Sequence, residues 1–188
     1  AAALTAACDD PNPEVRKAVL DALLRCAEMR LVRGDKASAA GIYRKVLESE
    51  PPSAVRVAAW RGTVLSDDGQ RAKLVVAALT GQDKSLRMMA AQLVQETRDD
   101  ELVNACLKQW KSLNADVQVL VVNVLADRGD KASLPDVLTA CASSEAAVRI
   151  AAIKTVGVLD DGANVGLLAD RAAQASGDEQ AAARDALR

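Results

Sequence analysis

A six-residue motif recurs along the chain at a nearly constant interval, and this recurrence restricts the fold more than any other feature. One copy, from Val55 to Trp60, reads Val-Arg-Val-Ala-Ala-Trp. The six copies begin at positions 15, 55, 86, 117, 148 and 179, which gives one step of 40 residues followed by four steps of 31. A constant period of this length is typical of solenoids and repeat arrays.

Each copy of the motif predicts the start of a helix, which we name helix B. In the copy that begins at Val148, apolar residues return at helical spacing at Ala151, Ala152 and Val156. Between copies, acidic residues and glycines predict the start of a second helix, helix A. The chain is 50% hydrophobic but only 2% aromatic, with no Phe. The core must therefore be packed by Ala, Leu and Val, and Ala and Leu are strong helix formers.

The predicted fold is all-α, a right-handed α-solenoid of about six stacked antiparallel helix pairs. We expect one domain over residues 1–188, and that length is sufficient for a continuous core. The predicted units are residues 1–33, 34–66, 67–97, 98–127, 128–158 and 159–188. Residues 1–8 are interpreted as the truncated first helix of the array, so we expect the chain to be a fragment of a longer protein.

The composition excludes several classes of chemistry. The chain has no histidine, which removes Ser-His and Cys-His catalysis and histidine-ligated metals. Its four cysteines form no CxxC pair and are expected to act as small buried hydrophobes, although a disulfide between Cys8 and Cys26 is conceivable. Paired acids such as Asp160-Asp161 stand where helices need N-caps. The sequence therefore predicts no catalytic residue, metal site or cofactor.

Charge and hydropathy restrict the partners. The net charge of -2 gives no long-range attraction to phosphates, so no nucleic-acid partner is expected. No uncharged apolar run reaches about 18 residues, so no membrane insertion is expected. A protein or peptide, or another domain of the same polypeptide, is the expected partner.

Motif positions, counted from 0 at the first residue, predict which face of helix B is free. Positions 0, +3, +4, +7 and +8 share one face, whereas +2, +5, +6 and +9 share the other. Column +6 is polar, but columns +2 and +5 are apolar from the second to the fifth copy. The candidate partner-binding residues are seven large apolar residues of columns +2 and +5 and one polar residue of column +6. Column +2 supplies Val57, Met88, Val119 and Ile150, column +5 supplies Trp60, Val122 and Ile153, and column +6 supplies Arg61.

Two interpretations of this apolar stripe remain open. It is either a groove for a partner, with Trp60 as its anchor, or a surface that the solenoid buries against itself. Trp110, at the end of a helix A, is expected in core or inter-unit packing.

The motif resembles a known repeat. The pattern Val-Arg-x-Ala-Ala, kept best in Val55–Thr63 and Val148–Val156, resembles the second helix of HEAT repeats, in particular the short bacterial type also found in phycobilin lyases (PBS-lyase type). The resemblance implies a binding scaffold with the B helices on its concave side. It also implies that the motif arginine bonds to acidic groups of neighbouring turns. Four copies carry this arginine and two depart from it: Arg16, Arg56, Arg87 and Arg149 against Gln118 and Gln180. Residues 27–51 more weakly resemble a tetratricopeptide repeat.

Two functions follow from these features. The leading hypothesis is a non-enzymatic protein-interaction scaffold that uses the concave face of a HEAT-like array. The alternative is a HEAT-like enzyme or enzyme accessory domain of the chromophore-lyase type, because a bilin could lie in an apolar groove. A visible absorbance shift on adding bilin would support the alternative.

Overall fold

The computed structural model describes residues 10–97 and 99–188, and they form an all-α protein. The described residues contain eleven α-helices, and we number them in chain order: α1 (Pro13–Val32), α2 (Lys36–Glu48), α3 (Ser53–Ser66), α4 (Arg71–Thr80), α5 (Lys84–Glu96), α6 (Asp100–Lys108), α7 (Ala115–Arg128), α8 (Leu134–Ala140), α9 (Ala146–Leu159), α10 (Val165–Gln174) and α11 (Gly177–Ala186). Short 3-10 turns, Trp110–Ser112 and Lys131–Ser133, follow α6 and precede α8. Odd-numbered helices are the predicted B helices, and even-numbered ones are the A helices. The predicted first helix, residues 1–8, lies outside the described residues.

Acidic and asparagine side chains start many of these helices. Asp35 accepts a hydrogen bond from the Ser38 N–H at α2, and Asp99 accepts from two N–H groups at α6. Asn114 accepts from the Val117 N–H at α7. These contacts satisfy N–H groups that the first turn of a helix leaves unpaired. Among the paired acids, Asp99 caps a helix as the sequence predicted. Asp68 instead pairs with Lys36 and Arg71, and Asp160 accepts hydrogen bonds from N–H groups of the turn before α10.

The B helices α3 and α9 begin without a side-chain cap. Ser53 is the first residue of α3 rather than its cap, because Pro52 occupies the cap position. Glu145 rather than Ser144 precedes α9, and it makes no side-chain cap bond. At the opposite helix ends, Gly34 and Gly129 have positive φ angles of 81° and 63°, a backbone conformation that favours glycine.

The chain divides into two compact units, Ala1–Ala90 and Ala91–Arg188, with the division inside α5. In the first unit α1 packs on α2 and α3, α2 packs on α3, and α3 packs on α4. Its core includes Leu20, Leu23, Tyr43 and Val46, all nearly inaccessible. Because each helix packs on its neighbours along the chain, this unit has the consecutive stacking of an α-solenoid.

The second unit repeats the same arrangement. α9 packs against α7, α8 and α11, and further contacts join α6 to α7 and α10 to α11. Each B helix here is thus covered by a neighbouring B helix and by a helix A. Val121, Leu125 and Val156 are fully buried in this core. The all-α solenoid-like prediction is confirmed, whereas the handedness and the single domain over the whole chain stay predictions.

Candidate functional site

The three candidate residues of column +5 lie inside the protein. Trp60 is only 7% exposed, Val122 is 1% exposed and Ile153 is fully buried. The hypothesis that Trp60 is a surface anchor is therefore wrong, and Val122 and Ile153 are likewise unavailable to a partner. The physical reason is that several helices pack around each B helix. They bury more of its surface than the single face that positions 0, +3, +4, +7 and +8 form.

Column +2 stays accessible. Met88 is 65% exposed, and Val57, Val119 and Ile150 are each half-buried. Arg61, in the polar column +6, is exposed. Val57, Arg61 and Met88 belong to the first unit, and Val119 and Ile150 belong to the second. Of the candidate residues, these five are the ones that a partner can reach, and we name them the accessible column.

In five of the six copies, the side chain at the second motif position bonds a carbonyl of the turn that precedes helix B. Arg87 donates to the Gly81 carbonyl at 2.5 Å, and Arg149 donates to the Ser143 carbonyl at 3.0 Å. In the two copies without arginine, a glutamine side-chain amide makes the equivalent bond. Gln118 donates to the Trp110 carbonyl at 2.9 Å, and Gln180 donates to the Ala172 carbonyl at 3.0 Å. Carbonyls at helix ends lack intrahelical partners, so these bonds fix the A-to-B turn.

Two motif arginines also pair with carboxylates of the next helix pair along the chain. Arg56 contacts Asp83 at 2.8 Å, and Arg149 contacts Glu179 at 2.8 Å. The acidic partner implied by the HEAT resemblance is thus present in these two copies. Asp83 also accepts hydrogen bonds from the first turn of α5, so one carboxylate both caps a helix and pairs with the preceding helix B.

The Arg149–Glu179 pair belongs to a larger network in the second unit. Arg171 reaches the other Glu179 oxygen at 3.4 Å and donates to the Cys141 carbonyl at 3.1 Å. Hydrogen bonding from Arg149 lowers the pKa of the Glu179 carboxyl and raises the pKa of Arg149. The network borders a cleft of about 650 Å³, which Ile150 also lines. Arg149 and Arg171 are largely bonded to Glu179 and to backbone carbonyls. We therefore interpret this cleft as part of the packing between α9, α10 and α11.

This network predicts a specific loss of stability in acid. A carboxyl whose pKa is lowered by folding stabilises the protein above its unfolded pKa of about 4.3, and the stabilisation disappears as pH falls through the lower folded value. We therefore expect Glu179→Gln to lower the melting temperature at pH 6 and to have a much smaller effect near pH 3. Thermal unfolding by circular dichroism at both values tests this. Asp127→Asn, at an exposed carboxylate outside the network, is the control, and an equal pH dependence in both variants would contradict the assignment.

The cysteines match the predicted role of small hydrophobes in part. Cys106 and Cys141 are buried, Cys26 is half-buried, and these three are free thiols. Burial raises the pKa of Cys106 and of Cys141 to about 11, so both thiols stay protonated and unreactive at neutral pH. Cys8 lies outside the described residues, and so does the conceivable disulfide with Cys26. Across residues 10–97 and 99–188, no cluster of three potential metal ligands is found.

Sequence reasoning missed a second surface, around Trp110. This residue lies in the 3-10 turn after α6 and is half-buried instead of being in the core. It lines a pocket of about 270 Å³. The available signal was local composition, because Trp110 follows Lys108-Gln109 and precedes Lys111-Ser112. A tryptophan within such a polar run is less easily buried than one within an apolar motif.

The helix order, the recurring motif and the bonded turns define a helical-repeat protein. The family model that matches the chain is the HEAT repeat, over residues 2–29. HEAT repeats are generally non-catalytic and act as protein-interaction scaffolds. The matched segment is thus similar to a HEAT repeat, which is the resemblance that the motif indicated. The finer resemblances to the phycobilin-lyase type and to a tetratricopeptide repeat stay predictions.

The other findings are negative. No curated protein matches the chain. Within the part of the chain that the structure describes, we find no helix that is both long and apolar enough to cross a bilayer.

Proposed function

We propose that this chain is a non-enzymatic protein-interaction scaffold, and that each of its two units makes partner contacts through its own members of the accessible column: Val57, Arg61 and Met88 in the first unit, and Val119 and Ile150 in the second. The family match and the helix stacking support the general function. The column residues supply the specific contacts in this proposal, with Val, Met and Ile giving apolar area and Arg61 a charged border.

One observation carries the proposal. In four consecutive copies the +2 residue is large and apolar, yet it stays at least partly accessible. The neighbouring columns +4 and +5 already supply the buried residues, for example Ala152 and Ile153 in α9, both fully buried. A position that faced only water would be expected to be polar, as column +6 is. Repeated apolar residues at an accessible position are a sign of a binding surface.

The proposal predicts that column substitutions remove partner binding without unfolding the protein. We expect Met88→Lys and Ile150→Lys each to reduce capture of the partner at least tenfold, because a lysine ammonium cannot be desolvated in an apolar contact without cost. The measurement is affinity capture from cell extract with the full chain as bait, and the bound proteins are quantified by mass spectrometry.

The control is Val158→Lys. Val158 lies on α9, as Ile150 does, and is 63% exposed, but it is outside the column. Each bait is accepted only if its melting temperature stays close to that of the wild type. Equal loss of capture by Val158→Lys, or no loss by either column variant, would contradict the proposal.

A further inference from the structure

The Trp110 pocket differs from the accessible column in its elements and in its charge. Its apolar walls are Leu107 and Trp110, which lie at the end of α6 and in the following 3-10 turn. The remaining lining residues are polar or charged and come from the same turn and from α8: Lys108, Gln109, Lys111, Ser112, Asp136 and Thr139. All of them lie within the second unit.

The turn that carries Trp110 is held in place by the next helix B. Gln118 of α7 donates a hydrogen bond from its side-chain amide to the Trp110 carbonyl at 2.9 Å. The Leu113 N–H donates to the same carbonyl at 3.2 Å, and Leu113 is buried. The backbone of the turn is thus fixed from two sides. The indole is presented by a rigid element, which lowers the entropy lost when a partner binds.

The pocket lining carries more positive than negative charge, and its two lysines are accessible to a ligand. Lys108 and Lys111 are both exposed, and neither forms an ion pair with a described residue. Asp136, on the α8 side, is the one acidic lining residue. Two unpaired ammonium groups beside an indole complement a ligand that combines an apolar side chain with carboxylates, because tryptophan supplies apolar contact area and lysine attracts the anion.

We propose that the Trp110 pocket binds an acidic peptide segment, with an apolar side chain seated against Leu107 and Trp110 and flanking carboxylates beside Lys108 and Lys111. This inference deepens the proposed function, since it rests on the chain being a protein-binding module. It does not depend on the accessible column, whose residues are absent from the pocket lining. The pocket adds a second contact surface and assigns the chemistry of the segment that occupies it.

Two matched hexapeptides test the proposal, acetyl-EELLEE-amide and acetyl-KKLLKK-amide, titrated into the full chain by isothermal calorimetry at low salt. We expect the acidic peptide to bind with a Kd on the order of 100 μM and the basic peptide at least tenfold more weakly. The Lys108→Glu/Lys111→Glu variant should reverse this order. Asp136→Asn, which removes the acidic lining residue, should tighten binding of the acidic peptide.

The matched control is Lys131→Glu/Lys154→Glu, which changes the net charge equally at two exposed lysines of the same unit that do not line the pocket. Binding to this variant should stay within about threefold of wild type, which is a change of at most about 0.7 kcal/mol. The proposal is overturned if the acidic peptide does not bind at millimolar concentration, or if the control variant weakens binding as much as the pocket variant does. If Ile150→Lys loses capture of the partner but the acidic peptide does not bind the wild-type chain, the pocket proposal is wrong and the accessible-column proposal still stands.

Discussion

Gly62→Ala is expected to destabilise the protein by roughly 1–3 kcal/mol, although alanine is the better helix former by about 1 kcal/mol. Gly62 lies within α3, and a Cβ built on it would overlap the ring atoms of Tyr43. The Tyr43 ring is only 2% exposed, so it has little room to move aside. Overpacking should therefore exceed the gain in helix propensity.

A matched glycine separates these two effects. Gly41 lies in the interior of α2, and a Cβ there would meet nothing within 4 Å. Gly41→Ala should therefore stabilise the same unit by up to about 1 kcal/mol. Urea denaturation of both variants gives the comparison. In a Tyr43→Ala background, the cost of Gly62→Ala should disappear, because the atoms that it strikes are gone. A stabilising Gly62→Ala in the native background would show that α2 and α3 are not in this close contact.

Two isoleucines on α9 should respond very differently to truncation. Ile153→Ala is expected to cost about 2–5 kcal/mol, because it leaves a cavity at a fully buried site. Ile150→Ala, at a half-buried position three residues earlier, should cost about 1 kcal/mol or less. The residue type, the substitution and the helix are the same, so the difference in free energy of unfolding measures burial alone.

The isoleucine pair decides whether columns +2 and +5 have separate roles. Chemical denaturation monitored by circular dichroism gives the midpoint for each variant, and equal slopes are required for the comparison. Equal destabilisation at both positions would mean that Ile150 is a core residue. The accessible column would then lose one of its two members in the second unit.

Helix order and most helix starts were predictable from the sequence, because they depend on local rules. A 31-residue period places each helix B, and side chains such as Asp35, Asp99 and Asn114 accept hydrogen bonds from nearby backbone N–H groups. No knowledge of neighbouring helices is needed for these contacts. The faces of the helices were harder to assign, since burial depends on how many neighbours surround each helix.

Columns +5 and +2 show that limit. Both are apolar in the middle copies, and sequence periodicity alone placed them on one face. Contacts of α9 with helices on several sides bury Ile153, while Ile150 stays partly accessible. The two tryptophans show the same effect: Trp60, in the motif, is enclosed, and Trp110, in an irregular turn, is half-buried. Residue type indicated the importance of a tryptophan, but only packing decided which one a partner can reach.

The exchange of arginine for glutamine at the second motif position has a consequence for how the protein responds to salt. A glutamine amide needs no counter-ion, so the Gln118 and Gln180 turns should be insensitive to ionic strength. The Arg56–Asp83 and Arg149–Glu179 contacts are ion pairs, and added salt screens such pairs at partly exposed sites. We therefore expect added salt to weaken the ion pairs of the copies that begin at Val55 and Val148. The turns held by glutamine should keep their geometry.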